Sequence, residues 1–383
     1  MRILHVTPNA SRAYGGPTYS LVAYSIAARS GGATVSIAAP TLPEVDREWI
    51  QAQLPNVDLH LFPSYGRGAF LASPALQGWL RRKGSEFDVI HVHGLLNPVS
   101  SLASRTCVRN RWPLVVRPFG TLSQFTFAHR RGLLKRAYMA AIESANLEGA
   151  SAIHFTTDAE RDASTWHAIE WGERARVVPP PWIGTIAESA AHQSTSSTVL
   201  FLSRLHPVKN VELLIDAWPI VLRSIPVAKL VIAGNGDPRY VQALRARATT
   251  LAPSISFVGH ADDLVKNELL ASATIFALPS FHENFGISVL EALAAGLPAV
   301  ITPEVQLSEF VRQHTLGVIA EATVPAFAAA IVRALTDNAL RARCSADGPE
   351  LVARYYSPAT IGEELLQMYR LAIANSQAES VNA

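Results

Sequence analysis

The sequence predicts an α/β protein made of two doubly wound, parallel-sheet domains of the Rossmann kind. Three observations carry that prediction. At 383 residues the chain is too long for one ordinary hydrophobic core, since domains run to about 100–200 residues. Short β-branched runs alternate with longer helical patterns from the first residue onward, which is the signature of parallel α/β layers. The alternation occurs as two series with a break between them.

In the first series the strand candidates are Ile3–Val6, Thr34–Ala39, Val57–Leu61, Asp88–His93, Leu114–Arg117, Ala152–Phe155 and Arg176–Val178. The pattern stops at Pro179-Pro180-Pro181, and residues 184–197, rich in Ala, Ser and Thr without apolar periodicity, read as a linker. The second series comprises Val199–Leu202, Lys229–Ala233, Ile255–Val258, Thr274–Leu278 and Ala299–Thr302. Beyond Pro358, Ile361, Leu365, Leu366, Met368, Tyr369 and Leu371 keep helical spacing. The predicted layout is therefore a domain at 1–183, a linker at 184–197, a domain at 198–357, a terminal helix at 358–376, and a frayed tail at 377–383.

Bulk properties narrow the function. With 49% hydrophobic and 17% charged residues the chain reads as a well-packed globular protein, and its net charge of +2 excludes a nucleic-acid binder that works through massed cations. Cys107 and Cys344 are too few and too far apart for a disulfide framework or a CxxC metal pair, which fits a reducing cytoplasm. The first apolar run is too short for a signal peptide. No window approaches the ~18 apolar residues of a membrane span, and Ile287–Ile301 is interrupted by Glu291, Gly296 and Pro298. Any membrane contact is thus expected from the surface.

Ligands of open parallel sheets bind beyond the carboxyl ends of the strands, where loops enter helix N-termini. After Val199–Leu202 come Ser203-Arg204-Leu205-His206-Pro207-Val208-Lys209-Asn210, which open a helix. Two cations there add to the positive end of the helix dipole, an arrangement that a bound anion such as a diphosphate would relieve. Two solvated cations are the plain alternative. After Thr274–Leu278 come Pro279-Ser280-Phe281-His282-Glu283-Asn284-Phe285-Gly286, leading into a helix that contains Glu291. Carboxylates at that separation can grip different parts of one molecule through vicinal hydroxyls, as sugars and ribose offer. Phe285-Gly286 brings bare N–H groups to a helix start. Dipole stabilisation of an acidic helix start explains Glu283 but not Glu291.

These segments together, with Ala233-Gly234-Asn235-Gly236 between them and Gly296-Leu297-Pro298 after them, resemble the retaining glycosyltransferases of family 4. The resemblance covers most of the second domain in the same order and spacing. It implies a GT-B enzyme, two Rossmann-like domains facing a central cleft with the helix at 358–376 crossing back to the first domain, that uses a nucleoside-diphosphate sugar with no further cofactor and no metal ion. Carried over residue by residue, it assigns Arg204 and Lys209 to the diphosphate, Glu283 to donor-sugar hydroxyls and Glu291 to ribose. The backbone at Asn284, Phe285 and Gly286 would meet sugar or phosphate, and Gly259-His260 the base. The family most often works in cell-surface polysaccharide or lipopolysaccharide assembly, so the implied acceptor is a glycan or lipid-linked glycan.

In the first domain, Tyr14-Gly15-Gly16-Pro17 precedes a helix over Thr18–Arg29. A tight turn suits these glycines as well as a phosphate does; the resemblance places Gly16 opposite the diphosphate and Gly15 beside the acceptor. In Asp88-Val89-Ile90-His91-Val92-His93-Gly94, alternation puts His91 and His93 on one face. No third metal ligand is visible at a suitable spacing. His93 matches a family His-x-His-Gly segment near the acceptor, and His91 reads as structural. Where relatives carry a histidine or arginine facing the anomeric carbon, this chain has Phe119 and Gly120, which removes a side-chain base from that loop. Phe119, Gly120 and His129, slightly downstream, are read as acceptor-side residues. His129 offers a compensating group, with a solvated histidine as the plainer reading. Arg130, Arg131, Lys135 and Arg136 form a basic helix start that suits an anionic lipid-linked acceptor, the inner leaflet or a solvated face.

The expected activity is hexosyl transfer with retention, in which Arg204, Lys209, Glu283 and His93 act at the reaction centre. Two rivals stay open on these residues: a catalytically silent nucleotide-sugar-binding subunit, and another GT-B enzyme such as a nucleotide-sugar epimerase.

Overall fold

In the first half of the chain, runs of β-branched and apolar residues form seven strands among the described residues: β1 Arg2–Val6, β2 Thr34–Pro40, β3 Asp58–Phe62, β4 Val89–His93, β5 Leu114–Arg117, β6 Ala152–Phe155 and β7 Ala175–Val177. They pair in parallel in the order β3-β2-β1-β4-β5-β6-β7. The computed structural model describes residues 1–383 except 43–46, 67, 69–70, 124–126, 128–131, 165, 167–168, 185–196 and 382–383. The chain divides into two units, Met1–Pro181 with Tyr356–Ala383, and Trp182–Tyr355. The stretch read as a linker falls mostly on 185–196, outside the described residues.

Four helices of the first unit matter below: α1 Gly16–Ser30, α2 Arg47–Gln53, α3 Pro74–Lys83 and α4 Pro98–Asn110. Ser73 and Asn97 cap α3 and α4 by accepting from the amides of Leu76 and Val99, and each is followed by a proline suited to the first turn. Because side chains alternate along a strand, the sheet has two distinct faces. Leu4, Val6, Ile90, Val92, Leu114, Val116, Ile153 and Phe155 form one apolar core with Leu76 and Leu80 of α3 and Val99, Ala103 and Cys107 of α4. The intervening residues, among them His5, His91, His93, Arg117 and His154, belong to the other face. The C-terminal helix Pro358–Val381 packs on α1 and on β4, β5 and β6. It continues to Val381, five residues past the end read from the sequence, because residues 377–381 contain no Gly or Pro to stop it.

The second unit holds β8 Thr198–Leu202, β9 Lys229–Ala233, β10 Ile255–Gly259, β11 Ile275–Leu278, β12 Ala299–Ile301 and β13 Gly317–Ile319, all parallel, in the order β10-β9-β8-β11-β12-β13. β11 and β12 are buried throughout, as strands covered on both faces must be. β13 escapes the sequence reading because its three residues are only half-buried and sit at the sheet edge. Helix Val211–Ser224 buries Leu214, Trp218 and Val221 and packs against helix Val324–Thr336. Strand order reverses between β8 and β11, so the loops after those two strands flank the point where such sheets bind ligands. No helix among the described residues is long and apolar enough to cross a membrane.

Candidate active site

The loops after β8 and β11 meet. After β8, Leu205 bridges Gly236 and its N–H donates to Asn235 O at 2.7 Å, which ties this loop to the one after β9. A Cβ on Gly234 would lie 1.8 Å from Ser203 O, and one on Gly236 2.0 Å from Leu205 O. The Ala233-Gly234-Asn235-Gly236 segment therefore needs its glycines for loop-on-loop packing. Pro207–Lys209 forms a single 3₁₀ turn, and Asn210, at φ 53°, turns the chain into helix Val211–Ser224. Lys209 is consequently buried, while Arg204 stays exposed and has no ion-pair partner among the described residues.

The loop after β11 is held on both sides. Phe281 N–H donates to Val208 O at 2.8 Å, and Glu283 bridges Val305, its own N–H reaching Glu304 O at 3.2 Å. This brackets Glu283 against the first loop, and Lys209 Nζ makes a direct salt bridge to Glu283 Oε2. Gly286, at φ 94°, opens helix Ile287–Ala294 in a backbone state that favours glycine. Glu291 lies within that helix and accepts from Lys266 Nζ at 2.7 Å, while Lys266 also reaches Asp263 at 3.2 Å. Burial alone would lower the Lys266 pKa, but the Glu291 and Asp263 carboxylates outweigh it and hold the ammonium above its ordinary value. The sequence reading missed that each carboxylate has a lysine partner, because Lys266 and Glu291 belong to helices 25 residues apart. Gly259 ends β10, and His260 beyond it is exposed. Arg204, Lys209, Glu283, Asn284, Phe285, Gly286 and Glu291 thus come from the β8 and β11 loops and the helices that follow.

In the first unit, Gly15 precedes α1 and Gly16 is its first residue, beside half-exposed Tyr14. Phe119 and Gly120 form a tight turn at φ 55° and 69°. The Phe119 ring covers the Arg117 guanidinium at 4.2 Å, and Gly120 N–H donates to Glu160 Oε1 at 2.6 Å. Glu160 is buried and also accepts from Thr156 N–H at 2.7 Å, so it anchors this turn to β6. His129, read as an acceptor-side residue, lies outside the described residues, as do Arg130 and Arg131.

With both loop sets described, known proteins can be compared. The glycosyl transferases group 1 model matches residues 184–351, and the glycosyl transferase 4-like domain model matches residues 15–181. The chain belongs to the family 4-like GT-B glycosyltransferases. The phosphatidyl-myo-inositol mannosyltransferase of Mycobacterium leprae is 27% identical to it over 379 residues, 96% of each chain. A GDP-mannose-dependent monoacylated alpha-(1-6)-phosphatidylinositol monomannoside mannosyltransferase of Corynebacterium glutamicum is 32% identical over 178 residues, 45% of this chain and 46% of that one. Among solved structures, Anabaena HepE in complex with UDP and glucose superposes with a TM-score of 0.75 at 18% identity, covering 96% of this chain and 98% of the other.

This glycosyltransferase carries a polar belt inside its first sheet. His93 is fully buried, and its Nε2 lies 2.8 Å from His5 Nδ1. His154 Nε2 lies 2.7 Å from Val178 O, an acceptor, so Nε2 carries the proton and Nδ1 accepts from His91 Nε2 at 3.3 Å. Tyr369 of the C-terminal helix then donates to His91 Nδ1 at 2.9 Å. Arg117, also buried, donates to Ser20 Oγ at 3.0 Å and lies 4.6 Å from the Tyr24 ring. Burial, reinforced by the Arg117 charge, pushes the His5 pKa down to about 3. His91, His93 and His154 are also held well below the ordinary range, chiefly by burial.

The third histidine sought beside His91 and His93 is His5, whose ring nitrogens come within 4.8 Å of theirs. It was invisible because β1 pairing with β4, not sequence spacing, brings it there. The three rings are neutral, as metal ligands must be, but a divalent cation would be buried beside the Arg117 guanidinium with no carboxylate in the set. His5 Nε2 and His93 Nδ1 are buried with no hydrogen-bond partner among the described residues, so hydrogen bonding satisfies this trio only in part.

Proposed function

We propose that the enzyme transfers a hexose, with retention of configuration and without a metal ion, from a nucleoside-diphosphate sugar to a hydroxyl of a glycan or glycolipid. The observation that carries this reading is the Lys209–Glu283 ion pair, with Arg204 on the same loop as Lys209, at the strand-order reversal of the second unit beside the helix start at Gly286. Cleavage of the anomeric bond sends negative charge onto the diphosphate. On this reading Arg204, Lys209 and the N–H groups opening helix Ile287–Ala294 stabilise that charge in the transition state. Glu283, released from Lys209 as the diphosphate takes the ammonium, accepts from sugar hydroxyls, and Glu291 accepts from ribose. The Gly259-His260 turn serves the base.

The loop of Phe119 and Gly120 offers no base, and His93 is buried, so the departing phosphate oxygen takes the acceptor proton on the same face. His93, buried in the first sheet, then acts as a positioning residue, with Gly15 and Gly16 at the start of α1 as further acceptor-side groups. A glycolipid acceptor is favoured because the relatives similar over nearly the whole chain are mannosyltransferases of phosphatidylinositol lipids. It implies peripheral work at a membrane surface.

A thermal-shift panel of UDP-, GDP- and ADP-sugars tests the donor. A true donor at a hundred times its Kd stabilises by about 2.7 kcal/mol, and Arg204→Ala should abolish the shift. Donor binding without transfer to any glycan or lipid acceptor would favour the silent-subunit reading, which the absent loop base makes the main rival.

A further inference from the structure

Two carboxylates of the first unit are buried where the transfer reaction gives them no task. Glu143 is fully buried and has no ion-pair partner among the described residues. Its Oε1 accepts from the Leu96 N–H at 2.8 Å and from Ser101 Oγ at 2.7 Å, and its Oε2 accepts from Asn146 Nδ2 at 3.1 Å. Burial holds its pKa above the ordinary carboxyl range, against the pull of these donors. Glu143 ends a single π turn, Met139–Glu143, between helices Gly132–Tyr138 and Ser144–Glu148. Such turns are rare and concentrate at functional sites. Glu160 holds the loop after β5 as Glu143 holds the loop after β4, accepting from the Gly120 N–H at 2.6 Å and from the Thr156 N–H at 2.7 Å.

Each loop contains backbone that side chains disfavour. Of the six described non-glycine residues in the left-handed region, only Leu96, at φ 59°, and Phe119, at φ 55°, are apolar, so neither has a polar side chain to offset the cost. Backbone of this kind persists where its surroundings over-determine it, and it clusters at working sites. Glu143 grips the N–H of Leu96 itself, and Glu160 grips that of the residue after Phe119. Strand order in this sheet reverses between β1 and β4, the place where such sheets take ligands. The loops after β1, β4 and β5 meet there: a Cβ added to Gly94 would lie 3.8–3.9 Å from Ser100, Phe119 and Pro8. A carboxylate suits three converging donors, because a neutral amide would turn its own NH2 toward one of them.

On the reading that the first unit receives the acceptor, we propose that Glu143 and Glu160 are positioning residues for it, fixing the loops 94–97 and 118–121 in the left-handed form that seats the acceptor. Neither carboxylate touches the reacting atoms.

Amide hydrogen exchange of the full chain reads the anchoring. Steady-state kinetics read its consequence, with phosphatidylinositol micelles as the acceptor probe and the nucleotide sugar that stabilises the parent as donor. Glu143→Gln and Glu160→Gln, made singly, keep the side-chain size. They should speed exchange at Leu96 and Gly120 respectively and raise the acceptor KM, each by about tenfold, as a charge-assisted hydrogen bond becomes a neutral one. The kcat and the donor affinity should change little. Ser101→Ala, which removes one donor from Glu143, should act in the same direction by a smaller factor, and it decides the matter if Glu143→Gln does not fold. A role in folding alone would lower the melting temperature and the active fraction while leaving the acceptor KM where it was, and that result overturns the proposal. Unchanged exchange at Leu96 and Gly120 overturns it as well. A parent that moves no sugar to phosphatidylinositol counts against the glycolipid reading instead, and faster exchange in the variants then still upholds the anchoring.

Discussion

The two sheets share a winding order about their first strands, yet they handle charge in opposite ways. In the first unit the ionisable groups lie within the sheet itself: four imidazoles and the Arg117 guanidinium are buried under α1 and the C-terminal helix, with no carboxylate among the belt's hydrogen-bond partners. In the second unit the core of each strand is apolar and the charges stand beyond the strands, in loops as the pair Lys209–Glu283 and on helices as the pair Lys266–Glu291. A buried, neutral network specifies how helices dock, whereas ion pairs at strand ends can exchange partners with a charged ligand. The difference separates groups that hold the fold from groups placed where a charged ligand could displace a partner.

Acid should expose the first unit's dependence most strongly. Each buried histidine has its pKa lowered from the ordinary 6.5, so below about that pH the unfolded chain binds more protons than the folded one. The stability these groups contribute is fully present above it and is lost as pH falls through it. Each excluded proton costs up to about 1.4 kcal/mol per pH unit, and four approach ~5 kcal/mol, a large share of a typical domain's stability. Urea unfolding from neutral to mildly acid pH should show this slope in the unit that holds the C-terminal helix. A flat profile would mean that the belt accepts protons in the folded state.

Lys209→Ala should lower turnover by about 10²–10³, comparable to losing one oxyanion donor, with a much smaller effect on the first unit's unfolding. Steady-state kinetics with a saturating donor decides this, and unchanged turnover removes the leaving-group role. Glu291→Ala should weaken donor binding by about 1.5–3 kcal/mol, the worth of hydrogen bonds to a charged group, while nucleoside-free sugar phosphates bind as before. Calorimetry with the matching nucleoside diphosphate reads it. Tyr369→Phe, which leaves His91 Nδ1 buried without its donor, should cost about 1–2 kcal/mol of stability. Transfer by the enzyme that remains folded should be unchanged, and a selective loss of kcat would instead put the belt in the reaction.

Much of the second unit's site was legible because its parts are local. A strand end, a few loop residues and a helix start are contiguous in sequence, so Arg204, Lys209, Glu283 and Gly286 could be named from motif and spacing. Their pairing could not, since Lys209 and Glu283 are 74 residues apart and meet only because β8 and β11 are neighbours. The first unit's belt was less legible still. His91 and His93 showed themselves by alternation, but His5, Arg117 and His154 stand on three other strands, and each alone looks like an ordinary strand residue.

By itself, the sequence determined the class of fold, the twofold repetition of strand and helix, and the residue types at each loop, because periodicity, glycine and proline act over a few residues. Only the tertiary structure decided which charges are paired, which histidines are shut away from water, and which strands the C-terminal helix covers. Those outcomes depend on strand order and register, and contacts between residues distant along the chain leave no spacing for a sequence to display.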